Sequence, residues 1–270
     1  MTKCLLTCRD LATYVTWLKV INARVAAGEI PPIRALVLNA GYQEFGTQTW
    51  TEEDELDMTF TVNYLGHWLL ALPRDPRNVA KDAFTEDKYT TEILDHVDEI
   101  AKGTWSVNKD DTTAWVAGWR RYAASKLCGV TMIHEMQRRL DLDPVLKNIA
   151  VLALDPGAMA TTLSRRSESW FFRVFIMQVL IPTFAALLVY FYPNGPFRTL
   201  GKSAGDVVTA AFDCGPPPLS ERPKGLYLNG SELGEYNFEA KDPRNWDAVW
   251  RCSAKYAKLA KGETALEHWQ

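Results

Sequence analysis

Apolar positions along this chain change period several times, and each change marks an element. Leu11, Val15, Leu18, Val20 and Val25 form an approximate helical stripe from about Leu11 to Ala27, with Asp10 placed to cap it and Gly28 to stop it. Residues 3–7 read as the end of a short strand before that helix. After Pro31-Pro32, the run Ile33-Arg34-Ala35-Leu36-Val37-Leu38 has the length and β-branching of a buried strand. Trp50-Thr51-Glu52-Glu53 reads as a helix start, with a threonine cap and acids in the first turn. That helix is expected to run through Phe60, Val62, Tyr64, Leu65 and Trp68 to about Leu72, with Asn63 inside it.

From Pro73 to Trp119 the pattern lapses into polar and charged text, with no buried strand and one short helix expected around Glu92–Lys102. Arg120 to Leu140 then gives the best helix of the chain, with Tyr122, Leu127, Val130, Ile133, Met136 and Leu140 at helical spacing. Asn148 to Leu154 is a second buried strand, closed by Asp155-Pro156-Gly157, and Gly225-Leu226-Tyr227-Leu228 is the last sheet-like segment. Helices are expected over 204–213 and from Trp246 to Lys261. This alternation predicts an α/β fold: a parallel sheet flanked by helices.

Trp170 to Tyr192 is strongly apolar, and the 18 residues from Val174 to Phe191 carry no charge, the lower limit for a membrane-spanning helix. Gln178, Pro182 and Thr183 interrupt it, and spanning would put Gly225–Leu228 across the membrane from the rest of the sheet. The expectation is apolar helices folding over the sheet as a greasy lid, with a membrane span or monotopic insertion as alternatives.

Composition narrows the class. A chain of 270 residues with 47% apolar and 23% charged residues suits one domain with a sizeable core. The net charge of −3 supplies no basic field for nucleic acid. Cys4, Cys8, Cys128, Cys214 and Cys252 are odd in number and lack a CxxC pair, so reduced thiols in a cytosolic protein are expected, with no metal site. The sequon Asn229-Gly230-Ser231 reads as a turn, and no charged-then-apolar signal segment opens the chain.

The candidate chemistry centres on Tyr122 and Lys126. A phenol and an ammonium four residues apart share one helix face. A neighbouring cation favours the phenolate, which makes the pair a candidate proton donor with its tuner. Asn39-Ala40-Gly41 ends the expected strand at the edge where ligands bind in open α/β sheets, and small residues there allow close approach.

In this order the motifs make the chain resemble the short-chain dehydrogenase/reductase family, fungal-type members with extended substrate loops, over roughly residues 5 to 265. Asn39-Ala40-Gly41 is similar to the family's Asn-Ala-Gly after the fourth strand, beside the cofactor's adenosine half. Asn63, in Val62-Asn63-Tyr64-Leu65-Gly66-His67, is similar to the helix asparagine that holds a water of the proton relay. Tyr122 and Lys126 match Tyr-x-x-x-Lys, in which the tyrosine is the general acid/base and the lysine holds the nicotinamide ribose and lowers the tyrosine pKa. Pro156-Gly157, with Thr161 following, is similar to the turn after the sixth strand that packs against the nicotinamide. The resemblance thus implies catalytic Tyr122, Lys126 and Asn63, and a cofactor contact set of Asn39, Ala40, Gly41, Tyr122, Lys126, Pro156, Gly157 and Thr161.

The resemblance implies one domain with an incomplete Rossmann-like, doubly wound parallel sheet. Its parts are a cofactor-side remnant (1–72), an irregular insert (73–119), the catalytic helix and following strand (120–160), an apolar substrate-loop region (161–225) and a C-terminal strand and helix (226–270). The family's Thr-Gly-x-x-x-Gly-x-Gly turn has no counterpart in the text, so N-terminal truncation by two strands and two helices is expected. The strand that ends in the catalytic serine also has no match; Ser106 is a candidate only by default, and Ser125 does not occupy the serine position. The implied function is an NAD(P)-dependent oxidoreductase acting on a lipophilic carbonyl or secondary alcohol, with NADP favoured by family analogy. A catalytically impaired scaffold and a membrane-anchored family member are the alternatives. Implied partners are a small lipophilic substrate, membrane contact through residues 170–192 and a second copy paired along the Tyr122 helix.

Overall fold

The computed structural model describes residues 11–71, 93–105, 114–161, 163, 166–167, 169–213, 215, 219, 223–258, 264, 266 and 269. The sheet is built from β1 (Leu152–Asp155), β2 (Leu226–Asn229) and β3 (Glu232–Leu233), in the order β1-β2-β3. β1 and β2 are parallel and in register from Leu152 opposite Leu226 to Asp155 opposite Asn229. β3 turns back antiparallel, with Asn229 opposite Glu232, so Gly230-Ser231 forms a two-residue turn in which Gly230 adopts φ 65°. The sequon is therefore a hairpin turn, as its composition suggested.

Strand alternation distributes β1 between two apolar clusters. Val151 and Ala153 enter the main core with Leu127, Val130 and Ile133 of helix α5 (Ala114–Leu142). Leu152 and Leu154 enter a smaller cluster with Leu228 and with Ala210 of helix α7 (Leu200–Phe212). Helices thus cover both faces of a small, mainly parallel sheet, the α/β architecture expected. The main core is completed by helix α8 (Pro243–Ala257), capped by the Asp242 carboxylate accepting the Arg244 N–H. Its Trp250 packs edge-on against Trp68, ring centroids 5.3 Å apart, and donates its indole N–H to the Trp269 carbonyl at 2.7 Å.

Three expectations need correction. Ile33–Leu38 carries neither helix nor ladder: Leu38 is buried, Val37 points out, and among the described residues no strand lies beside the run. A strand is defined by its partner, and apolar periodicity alone does not supply one. The cap of the next helix is Asp57, whose Oδ1 accepts the N–H groups of Thr59 and Phe60, whereas Thr51 hydrogen-bonds the Leu56 N–H in the preceding turn. The helical run is α2 (Met58–Phe60), a π-helical turn over Thr61–Leu65, and α3 (Gly66–Ala71). Helix α1 (Leu11–Ala26) precedes it, and α4 (Ile93–Lys102) confirms the helix expected in the polar insert, with Ile93, Ile100 and Ala101 in the core.

The third correction concerns Trp170–Tyr192. The segment is one continuous helical rod, a π-helical stretch Phe171–Leu180 running into α6 (Ile181–Phe191), and it does not fold over the sheet. Only Ala185 in it is buried. One side of the rod (Phe172, Ile176, Met177, Ile181, Ala185, Val189) is half-buried or buried, and the other side is exposed, while α5 and α7 supply the helical cover of the two sheet faces.

Candidate active site

Tyr122 and Lys126 lie in the first half of α5, on the face turned to the loop at residues 42–45 and the π-helical turn. Gly118, one turn before Tyr122, makes this approach possible: a β-carbon there would collide with the Glu44 carbonyl oxygen and sit 3.1 Å from the Phe45 Cα. The loop backbone is pressed onto the helix where only glycine leaves room.

Lys126 is 4% exposed, and its Nζ lies 5.7 Å from the Tyr122 ring centroid. Neither the Tyr122 hydroxyl nor the Lys126 ammonium has a hydrogen-bond partner among the described residues. Burial, followed by the carboxylate of Asp155 at the end of β1, pushes the Tyr122 phenol up to about 12. Burial pulls the Lys126 ammonium down to about 8. In the free protein desolvation therefore dominates both groups, and the expected lowering of the tyrosine by the lysine does not appear. At neutral pH Tyr122 holds its proton.

Asn63 comes to the same place from the π-helical turn, and π-turns of this kind recur at functional sites. Its side chain, buried to 2% exposure, is fully occupied. Oδ1 accepts the Tyr42 N–H at 2.8 Å, and Nδ2 donates to the Tyr42 carbonyl at 2.9 Å and to Ser125 Oγ at 3.1 Å. Ser125 in turn donates to the Tyr122 carbonyl at 2.7 Å. Asn63 and Ser125 thus link the segment after Asn39-Ala40-Gly41 to the helix of Tyr122. His67, one turn on, is neutral at neutral pH: burial and the Lys126 ammonium lower it to about 3, against an opposing hydrogen bond to the Asn63 backbone.

At the C-terminal end of β1, Asp155 Oδ1 accepts the Gly157 N–H at 2.8 Å and shapes the Pro156-Gly157 turn. Gly157 adopts φ 70°, and a β-carbon there would lie 2.9 Å from Arg198 Cγ. Arg198, 1% exposed, donates to the carbonyls of Asp155 at 2.6 Å, Asn194 at 2.9 Å and Gly195 at 3.1 Å, and to Asn229 Oδ1. One guanidinium therefore ties the ends of β1 and β2 to the chain that follows the apolar rod. Ser203 Oγ donates to the Pro156 carbonyl at 2.6 Å.

The structure brings together Tyr122, Lys126, Asn63 and, through Asp155, the Pro156-Gly157 turn. Asn39 and Gly41 are exposed, Gly41 lies beside the Leu163 side chain, and Thr161 is exposed with its hydroxyl accepting the Leu163 N–H at 3.4 Å. Ser106 lies outside the described residues. Reasoning from sequence missed the linking role of Ser125, the strand-end role of Arg198 and an aromatic row leading to Tyr122. In that row Trp119 meets Tyr122 edge-on at 6.1 Å, Phe45 meets Trp119 at 6.0 Å, and Phe172 meets Phe45 at 6.2 Å. The spacing of Trp115, Trp119 and Tyr122 along one helix face was the available signal.

For a nicotinamide cofactor, the unpartnered phenol and ammonium on one face beside the β1 end fit the nicotinamide-ribose half. The pyrophosphate half has no glycine-rich turn in this sequence on which to test the fit.

No family model matches the chain. A short-chain dehydrogenase of Talaromyces variabilis, iccH, is 39% identical over 288 aligned positions, covering 93% of this chain and 77% of that protein. The WW domain-containing oxidoreductase of Gallus gallus is 30% identical, covering 86% of this chain and 50% of that protein. Retinol dehydrogenase 13 of Mus musculus is 33% identical over 44% of this chain and 33% of that protein. The chain therefore spans half or less of the last two. Among solved structures, an uncharacterised protein from Mycobacterium Paratuberculosis superposes with a TM-score of 0.50 at 20% identity, over 94% of this chain and 74% of that one, a likeness of fold alone.

Proposed function

Because the chain belongs to the short-chain dehydrogenase/reductase family, whose members are NAD(P)-dependent oxidoreductases, we propose that it reduces a carbonyl on a lipophilic substrate, or oxidises the corresponding secondary alcohol. The observation that carries this reading is the pair of unpartnered groups, the Tyr122 hydroxyl and the Lys126 ammonium, on one face beside the end of β1.

A phenol held at about 12 is fully protonated at neutral pH, so Tyr122 is poised to give its proton to an alkoxide as it forms. The bound cofactor, NADP by family analogy, supplies the hydride. Lys126 orients the ribose side and adds positive charge beside the phenol when protonated. Asn63 is a positioning residue: its side chain is spent on Tyr42 and Ser125, which fixes the loop against the catalytic helix. By the family resemblance Asn39, Ala40 and Gly41 would hold the adenosine side of the cofactor, and Pro156, Gly157 and Thr161 the nicotinamide side. The apolar row Phe172, Phe45 and Trp119 favours a substrate with a large hydrophobic body.

Titrating the purified protein with NADPH and with NADH while following nicotinamide fluorescence tests the reading. Saturable binding at micromolar levels, tighter for NADPH, is expected. A cooperatively folded protein that binds neither would overturn it and leave the impaired-scaffold alternative.

A further inference from the structure

We infer that the apolar rod Phe171–Phe191 docks the protein on one leaflet of a lipid bilayer, lying in the membrane plane, and that substrate reaches Tyr122 directly from the lipid. The second half of this inference rests on the oxidoreductase reading; the first does not.

The rod is 21 residues long, and its most apolar 18-residue window has a mean hydropathy of 2.2 and is 6% buried. Phe184 is 50% exposed, Leu187 56% and Tyr190 80%. Soluble monomers rarely leave an apolar surface of this extent in water. Amphipathic rings stand just beyond or at its ends, Trp170 before it and Tyr190 and Tyr192 at its close, the placement such rings take at a membrane interface. The Thr183 hydroxyl on the exposed side donates to the Val179 carbonyl at 2.6 Å, so it carries its own partner into an apolar medium.

Topology decides between crossing and lying flat. At the start of the rod, Phe172 packs on Phe45 and its N–H bonds Ser169 Oγ. Just past its end, Ala158 donates to the Pro196 carbonyl at 2.7 Å and Arg198 N–H to the Ala158 carbonyl at 2.9 Å. β1 precedes the rod and β2 follows it, yet they are hydrogen-bonded neighbours. Both ends of the rod are fastened to one body, so it cannot thread a bilayer. It lies along the body with its free side outward, and its first turn abuts the row Phe172, Phe45, Trp119 that ends on Tyr122. This packed aromatic row joins the rod to the phenol and marks the side from which a carbonyl compound dissolved in the leaflet would approach Tyr122.

The test is flotation of the full chain with phosphatidylcholine vesicles. The wild type is expected to float with the vesicles at high salt. The double variant Phe184→Glu/Leu187→Glu, at two exposed positions, is expected to shift at least tenfold toward the aqueous fraction with an unchanged urea midpoint. Phe184→Leu should float like the wild type. External protease should digest the vesicle-bound protein on both sides of the rod. Protection of one side would mean a span and overturn the inference. So would a wild type that stays in the aqueous fraction, or one that self-associates without lipid and becomes monomeric in the double variant. In turnover assays the double variant should lose at least tenfold in kcat/KM toward a long-chain ketone held in vesicles and keep its rate toward a short water-soluble ketone. Equal losses on both would overturn the delivery route. Flotation without turnover of either would support docking and count against the oxidoreductase reading instead.

Discussion

Asn63 holds Tyr42 by both groups of its backbone, accepting the N–H at 2.8 Å and donating to the carbonyl at 2.9 Å. With its third bond to Ser125 it fastens the loop after Asn39-Ala40-Gly41 onto the helix of Tyr122 and Lys126. A residue met in the sequence as a candidate water anchor is, in the folded chain, the clasp between the two halves of the site.

Replacing that clasp should therefore affect shape before chemistry. Asn63→Leu leaves the two part-buried backbone groups of Tyr42 short of partners, while Ser125 keeps its bond to the Tyr122 carbonyl, at about 1–3 kcal/mol for each group left unsatisfied. We expect a loss of about 2–4 kcal/mol in urea unfolding, together with weaker nicotinamide binding. An unchanged unfolding midpoint would refute the clasp.

Tyr122→Phe removes only the phenolic proton. Turnover should fall by about 10²–10⁴ while nicotinamide binding, followed by fluorescence, stays within about threefold. Equal loss of both would mean that the hydroxyl serves binding.

Gly118→Ala places a methyl against the Glu44 carbonyl and the Phe45 Cα. Overpacking of this kind costs about 1–3 kcal/mol. Because the displaced loop carries Phe45, the kcat/KM for a bulky ketone should drop more than that for a small one.

His67 gives a pH signature. Its folded value of about 3 lies below its ordinary 6.5, so the unfolded chain binds the extra proton first as pH falls. Its contribution to stability is full above 6.5 and is lost progressively down to about 3, up to about 5 kcal/mol at the bottom of that window. His67→Gln should flatten the difference in urea midpoint between pH 7 and pH 4 relative to the wild type. Parallel pH profiles for the two proteins would rule this contribution out.

Arg198→Met removes a buried cation that four acceptors share. Leaving the Asp155 carbonyl and the Asn229 side chain without their donor should cost about 3–5 kcal/mol by analogy with other broken buried polar networks. The Pro156-Gly157 turn loosens with it, so nicotinamide affinity should fall in whatever fraction of the variant remains folded.

Much of the fold could be read directly. α5, β1, β2, α4 and the hairpin turn at Gly230-Ser231 follow from local periodicity and turn chemistry, which act over a few residues and are written in order along the chain. Tyr122 and Lys126 could be read for the same reason, since one helical turn separates them. The cap at Asp57 was misplaced to Thr51 because both residues have the right chemistry and only tertiary packing chose between them.

Sequence alone determined that Tyr122 and Lys126 share one helix face and that an apolar segment follows them, because composition and i, i+4 spacing are local properties. Tertiary structure decided three further matters. Among the described residues Ile33–Leu38 pairs with no strand, since pairing depends on a neighbour and not on apolar character. Tyr122 is held at about 12, with Lys126 brought down to about 8, because desolvation is set by everything packed around a group. The rod Phe171–Phe191 leaves most of its apolar surface exposed while α5 and α7 pack on the two faces of the sheet, a partition of apolar segments that local periodicity does not specify.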